Sequence, residues 1–371
     1  MLPVSERGGY RRSRQSPPLR RVLVQSVRLW RRHSLLLKLL GLVVLALLLL
    51  TLLGGQEADD ETIVPLRVDS GASERREIPR VLFAIFTLPQ STARRSLIRE
   101  TWFKAPGRGI NWDARFVVGE SAEPGYNALI EAEAATFGDI HILRGFQEDA
   151  FASGWSRLAD KSRRLLVAAH TNTLLEENSN FRADFVLKTD DDAFFDVPLL
   201  LAALHDTTKA SGKTLADWLY FGIFYQHTNP MREGRHALTY TQWPESNGEL
   251  PPYAIGLGWA LSRSLLDAVA TRAASLQEVL PLEDVQVGLL VRQAELEENK
   301  KATRLDAKKW HVMSFPDGAK GAELADRRKH DYVVAHVSPW HPGKMRDLFC
   351  HATSPYADLG AAARVCNTES G

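Results

Sequence analysis

A chain of 371 residues, 44% hydrophobic and 25% charged, has the make-up of a globular protein and room for one large domain or two ordinary ones. Its 46 basic and 45 acidic residues leave a net charge of +1, so nothing global argues for nucleic acid as a partner. The balance is uneven along the chain, however. Residues 1–33 carry Arg7, Arg11, Arg12, Arg14, Arg20, Arg21, Arg28, Arg31 and Arg32 against a single acid, Glu6. Leu35 to Leu53 follows, apolar except for Lys38, Gly41 and Thr51.

Crossing a bilayer takes about 20 apolar residues, and Lys38 sits near enough to one end for its stem to reach the headgroups. The basic flank places the N-terminus in the cytoplasm and the remainder on the far side. The expected layout is a basic cytoplasmic tail (1–33), a transmembrane signal anchor (34–53), a stem (54–78), a catalytic domain (79–349) and a C-terminal tail (350–371). A cleavable signal peptide ending near Gly54-Gly55 is the competing reading; its basic region and apolar core are both longer than such peptides need. The two cysteines, Cys350 and Cys366, would then lie in a compartment that permits a disulfide between them.

The polar, acidic residues 54–78 lack an apolar period and read as a tether. Val81 to Phe86 has the composition of a strand buried in a parallel sheet. Ser91-Thr92 resembles a helix start, with Ala93 to Phe103 carrying Arg94, Arg95 and Arg99. Ala114 to Gly119 and Asp139 to Leu143 are strand candidates flanking a helical stretch, Tyr126 to Thr136. Trp155 to Leu175 is a long amphipathic helix, and Phe185 to Leu187 a further strand. Beyond the helix opened by Pro198, Trp218 to Phe224 and Ala254 to Leu261 read as strands, and Arg263 to Ala274 and Asp284 to Glu298 as helices. Trp310 to Ser314 and Tyr332 to Val337 are late strands. The alternation predicts an α/β domain with a largely parallel sheet flanked by helices.

One stretch stands apart. The strand ending Val186-Leu187-Lys188-Thr189 runs directly into Asp190-Asp191-Asp192, then Ala193-Phe194-Phe195. Adjacent carboxylates repel by about a kcal/mol per pair even in water, so a compensating cation is called for. Strand ends of open α/β sheets are ligand sites, and hard oxygen donors suit Mg²⁺ or Mn²⁺. A solvated acidic turn is the competing reading.

Four further stretches carry chemistry. Arg94 to Trp102 sets arginines at helical spacing beside an indole, fit for a diphosphate and a flat ring, or simply a basic face over a core tryptophan. Pro251-Pro252-Tyr253-Ala254-Ile255-Gly256-Leu257-Gly258-Trp259 offers glycines for close backbone approach and aromatics of the kind that pack on sugars; a tightly packed strand needs the same residues. Glu283-Asp284 opens a helix, where the macrodipole favours negative charge and where a general base would be well placed. His336 ends a strand and is either a metal ligand or a core histidine.

In order, Arg95 to Trp102, Lys188 to Phe194, Pro251 to Gly258 and Glu283 to Gly288 resemble the motifs of the inverting β-1,3-galactosyltransferase and β-1,3-N-acetylglucosaminyltransferase family. The resemblance implies a GT-A-like, Rossmann-type fold, a type II Golgi membrane topology, and transfer of a hexose from a UDP-sugar to an acceptor glycan on a glycoprotein, glycolipid or proteoglycan. It implies Mn²⁺ (or Mg²⁺) on Asp190, Asp192 and His336, with His311 as the competing histidine. It implies donor contacts from Arg95, Arg99, Trp102, Lys188, Asp190, Asp191, Gly256 and Gly258. Asp284 becomes the catalytic base, with Glu283 beside it as the alternative. Galactose is the donor sugar favoured. The family's Asp-x-Tyr-x-Asn-Leu-Thr-x-Lys motif is only echoed, by Asp149-Ala150-Phe151 and a more distant Lys161, and its cysteine pattern is absent. Rival expectations are a non-catalytic Golgi partner keeping the fold, and a glycoside hydrolase using paired carboxylates.

Overall fold

Val81–Phe86 (β1) shows why the centre of the molecule is layered. Val81, Phe83 and Ile85 belong to one apolar core, and Leu82, Ala84 and Phe86 to another. A strand sends successive side chains to opposite faces, so a wholly apolar strand is one covered on both sides. The computed structural model describes residues 78–148, 156–175, 179–226, 228–234, 236–307, 311–314, 332–337 and 342–352.

From β1 the chain runs through α1 (Thr92–Glu100), β2 (Trp112–Glu120), α2 (Pro124–Phe137), β3 (Ile140–Gln147), α3 (Ser156–His170) and β4 (Phe185–Asp190). There follow β5 (Ala193–Phe195), α4 (Val197–Ala210), β6 (Leu219–Tyr225), β7 (Tyr253–Ser262), α5 (Arg263–Ser275) and α6 (Glu283–Glu297). The last elements are β8 (Thr303–Asp306), β9 (His311–Ser314), β10 (Tyr332–His336) and α7 (Pro342–Ala352). Seven strands form one sheet in the order β3-β2-β1-β4-β7-β6-β8. Its pairings are parallel except those of β7, which runs antiparallel to both β4 and β6. Helices α3, α5 and α6 cover one face; α1, α4 and α7 lie with the other core.

Local signals explain the boundaries. Pro124 occupies the first turn of α2, and Gly138 ends it at φ 64°, the left-handed conformation a helix stop requires. Asp196 caps α4 by accepting the Leu199 amide at 3.2 Å, just ahead of Pro198.

A second sheet, ordered β5-β10-β9, was not foreseen from the sequence. Its first strand is only three residues long, too short to show a period, and begins immediately after the acidic triplet. The triplet therefore links two sheets: Asp190 ends β4, and β5 pairs with β10 in a register that sets His336 opposite Ala193. Among the described residues no helix is long and apolar enough to cross a membrane; the expected anchor at 34–53, and the tail and most of the stem beside it, lie outside them. Cys350, on α7, is disulfide-bonded, and Cys366 is also outside the described residues.

Helix α6 sits unusually close to β7. A Cβ on Gly288 would lie 2.7 Å from Tyr253 Cβ and 2.9 Å from the Pro252 carbonyl oxygen. Backbone cannot swing aside as a flexible side chain can. Gly288→Ala is accordingly expected to destabilise the protein by about 1–2 kcal/mol: overpacking outweighs the ~1 kcal/mol that alanine gains in helix propensity. A thermal melt equal to or above the parent's would contradict this.

Candidate active site

The three aspartates meet different surroundings, because a strand end and a turn aim them in different directions. Asp191 points inward. Its carboxylate accepts from Thr87 Oγ1 and from Arg94 Nη1, both at 2.6 Å, while its amide donates to the Phe86 carbonyl at 3.0 Å. Burial raises its pKa, and the Arg94 charge and the Thr87 hydrogen bond only partly offset that. Asp191 thus ties the triplet to the end of β1 and to α1. Asp190 is partly exposed and stands 3.0 Å from Lys188 Nζ.

Asp192 reaches the second sheet. Its carbonyl accepts the Val337 amide at 2.8 Å, and its carboxylate oxygen lies 3.4 Å from His336 Nε2. Both side chains keep solvent access, at 25% and 35%. The hydrogen bond to Asp192 raises the His336 pKa against the effect of its burial. A partly exposed carboxylate and imidazole converging at a sheet edge fit a divalent cation. No group of three His, Cys, Asp or Glu able to hold a metal occurs among the described residues, so such a cation would take its remaining ligands from elsewhere, as Mg²⁺ and Mn²⁺ do with phosphates and water.

Lys188 joins this edge to α6. It is 1% exposed, and its ammonium meets Asp190 Oδ1 at 3.0 Å, the Gly256 carbonyl at 3.0 Å and Glu283 Oε2 at 3.4 Å. Burial alone would lower its pKa; the two carboxylates outweigh that and raise it. Glu283 is held from three elements. Ser162 Oγ on α3 donates at 2.9 Å and Trp259 Nε1 on β7 at 2.8 Å, with Lys188 on β4 as the third partner.

Asp284, the next residue, is partly exposed. One carboxylate oxygen accepts the Val285 amide at 2.9 Å. Burial raises its pKa, against the pull of that amide and of the Lys188 charge. Two neighbours at one helix start are therefore unlike. Glu283 is saturated with donors; Asp284 keeps a carboxylate that can accept a proton at the surface.

Several expected donor contacts are placed differently. Arg95 is 0% exposed, and its guanidinium is used up on Glu133, the Leu88 and Pro89 carbonyls and Thr92. Arg99 is tied to Asp139 and Glu133, each at 2.7 Å. Trp102 packs in a buried ring cluster, 5.3 Å from Phe83 and 5.7 Å from Phe195. Arg95 and Arg99 brace α1 against α2, and Trp102 packs in the core beyond the end of α1. Gly256 answers to packing as well: a Cβ there would meet Glu283 Oε2 at 3.1 Å, whereas at Gly258 the nearest atom, in Phe195, would lie at an ordinary contact distance of 3.4 Å. Trp259 is spent on Glu283 rather than on a sugar face. The side chain of His311 and residues 308–310 are not among those described.

Arg94 belongs to the basic stretch singled out in the sequence but not to the expected donor contacts, which took Arg95 and Arg99 instead. It lies on the same helix as Arg95 and alone among the three arginines reaches the triplet. A helical period would have sorted them: Arg95 and Arg99 are four apart and share a face, and Arg94 points elsewhere. Lys161 was noticed only as the end of an eroded motif. It is buried, donates to the Thr87 carbonyl at 2.9 Å and pairs with Glu148, forming the floor beneath Asp191. Burial lowers its pKa despite the Glu148 charge.

Comparison with known proteins gives a consistent result. The sequence profile of the family described as Galactosyltransferase matches residues 93–302. Beta-1,3-galactosyltransferase 4 of Homo sapiens is 30% identical over 247 residues, covering 59% of this chain and 62% of that protein. Beta-1,3-galactosyltransferase GALT1 of Arabidopsis thaliana is 27% identical over 274 residues, 72% of this chain and 36% of that one. The UDP-GlcNAc:betaGal beta-1,3-N-acetylglucosaminyltransferase 8 of Homo sapiens is 31% identical over 219 residues, 58% of this chain and 50% of that one. The chain thus spans less than two thirds of the length of each of these three relatives.

Proposed function

The chain belongs to the Galactosyltransferase family, and from that premise we propose that it transfers a hexose from a UDP-sugar to a hydroxyl of an acceptor glycan, with inversion and with a divalent cation. Galactose is the preferred sugar and β-1,3 the linkage formed. The support is the family membership together with one observation: Lys188 bridges Asp190 and Glu283, bringing the acidic strand end and the start of α6 into one site.

Asp192 and His336 would hold Mn²⁺ or Mg²⁺, with Asp190 beside them. Such an ion supplies Lewis-acid stabilisation of a diphosphate leaving group. Asp191 fixes the turn that aims Asp190 and Asp192, through Thr87 and Arg94. Asp284 takes the proton of the acceptor hydroxyl. The acceptor oxygen bonds to the anomeric carbon as the bond from that carbon to the UDP oxygen breaks, and the electron pair leaves with UDP. Glu283, held by Lys188, Ser162 and Trp259, locks the helix start on which Asp284 stands.

In the cell this reading corresponds to a single-pass type II Golgi membrane protein, anchored by residues 34–53, with its catalytic domain in the lumen and an acceptor on a glycoprotein, glycolipid or proteoglycan. The test is UDP release from a panel of UDP-sugars, with and without Mn²⁺ and with and without acceptor glycosides. Metal-dependent release, fastest from UDP-galactose and stimulated by acceptor, is expected. Preference for UDP-N-acetylglucosamine would reassign the donor, as one of the relatives suggests by its name. Metal-independent hydrolysis of a glycoside, or no reaction with any UDP-sugar, would overturn the proposal.

A further inference from the structure

The start of β7 lies on the same edge of the sheet as the acidic triplet. Strand β7 is antiparallel to β4, with Thr189 opposite Gly258, so Tyr253 to Gly256 extend past the end of β4. At the tip of that extension Tyr253 is the register partner of Tyr225, the last residue of β6. Their ring centroids are 5.8 Å apart and their planes inclined at 44°. Tyr225 is 52% exposed and Tyr253 partly so.

The pair is built in place. Tyr253 Cβ sits over Gly288, which has no side chain to push it away. Gly288 is four residues after Asp284 on α6, and residues four apart share a helix face. Tyr253 therefore stands on the Asp284 side of that helix. The excursion between β6 and β7 is held to the same spot. Thr228 and Leu250 form a bridge, with the Leu250 amide donating to the Thr228 carbonyl at 2.9 Å. Leu238, Trp243 and Leu250 then pack on Leu282 and Val285, the residues that flank Glu283-Asp284. A separate apolar cluster thus clamps the excursion onto the turn that carries the base.

We propose that Tyr225 and Tyr253 form the acceptor ledge, taking the C–H face of the pyranose ring whose hydroxyl Asp284 deprotonates. The inference rests on the glycosyl-transfer reading given above and specifies its second substrate. An aromatic face complements the apolar face of a sugar. The placement beside Asp284 rather than beside Asp192 and His336 assigns the ledge to the acceptor and not to the donor. The β6–β7 excursion, clamped around it, then determines which glycan fits.

The experiment is a set of acceptor saturation curves for the full chain at fixed UDP-galactose and Mn²⁺, using methyl β-galactopyranoside and methyl β-N-acetylglucosaminide. Tyr225 lies at the surface, so its replacement leaves the core untouched. Tyr225→Ala is expected to raise the acceptor KM about tenfold with kcat changed by less than about twofold, while Tyr225→Phe, which keeps the ring, stays within about twofold of the parent. Calorimetric titration with UDP and Mn²⁺ checks that Tyr225→Ala is folded. A parent that transfers sugar while Tyr225→Ala shows the parental KM would overturn the ledge and leave the donor reading standing. A parent that neither binds UDP with Mn²⁺ nor transfers sugar would remove the donor reading, and the ledge with it.

Discussion

Replacing Asp284 by Asn is expected to lower kcat by about two to four orders of magnitude, the usual contribution of a positioned general base, with UDP affinity in the presence of Mn²⁺ nearly unchanged. The expectation follows from the contrast between neighbours at the start of α6. Glu283 is buried with three side-chain donors from three elements, whereas Asp284 has backbone amide partners and partial solvent access. The same contrast gives a pH dependence. Burial raises the Asp284 pKa, and its amide partner and Lys188 only partly oppose this. A base works in its deprotonated form, so kcat/KM falls as pH drops through a value above the ordinary aspartate range. An acid limb at the ordinary value, or an Asp284→Asn protein with near-parental turnover, would take the base role away from this residue.

Lys188→Met is expected to be the most destabilising single change at the site. The ammonium lies between Asp190 and Glu283, and only the second of these is buried. Removing one partner of a buried ion pair typically costs about 3–5 kcal/mol, because the other charge is left uncompensated. For a domain of this size that is a fall in Tm of about 10 °C. The sign of the pH dependence can be worked out. The folded-state pKa of Lys188 is raised, so its contribution is complete below the ordinary lysine range and is lost only as pH rises above it. In Lys188→Met the orphaned Glu283 carboxyl, whose pKa is already raised by burial, takes up a proton as pH falls. The stability gap between parent and variant therefore narrows at acid pH. Lys188→Met/Glu283→Gln should recover part of the loss at neutral pH. Equal melting curves for Lys188→Met and the parent at neutral pH would show that the bridge is not structural.

Much of this was legible in the chain. The apolar run Val81–Phe86 specified a buried central strand with its ends correct, and the hydrophobic period of Trp155 to Leu175 marked a helix that covers the sheet, which the structure ends at His170. The acidic triplet announced itself because like charges need a reason to be adjacent. Two things stayed hidden. Direction was one: Tyr253–Ser262 reads as a strand, but nothing in its composition says that it runs against its neighbours, and that reversal brings Gly256, Trp259 and Tyr253 to the acidic edge. The division of labour among like residues was the other. Arg94, Arg95 and Arg99 are equivalent as letters, yet the folded chain buries Arg95, braces α2 with Arg99 and gives only Arg94 to Asp191. Burial and partnership are set by residues far away in sequence, such as Glu133 and Asp139, and a local pattern does not contain them.

The acidic edge as a metal–diphosphate site is the claim on which the rest depends. It is tested most directly by titrating UDP into the protein with and without Mn²⁺, for the parent and for Asp192→Ala. Partial exposure of Asp192 and His336, 3.4 Å apart, means that the substitution removes a candidate ligand and leaves the core alone. The account predicts UDP binding that requires Mn²⁺ in the parent and weakens at least about a hundredfold in Asp192→Ala, with an unchanged far-ultraviolet spectrum. UDP binding of equal strength in both proteins, or binding indifferent to Mn²⁺, would contradict it.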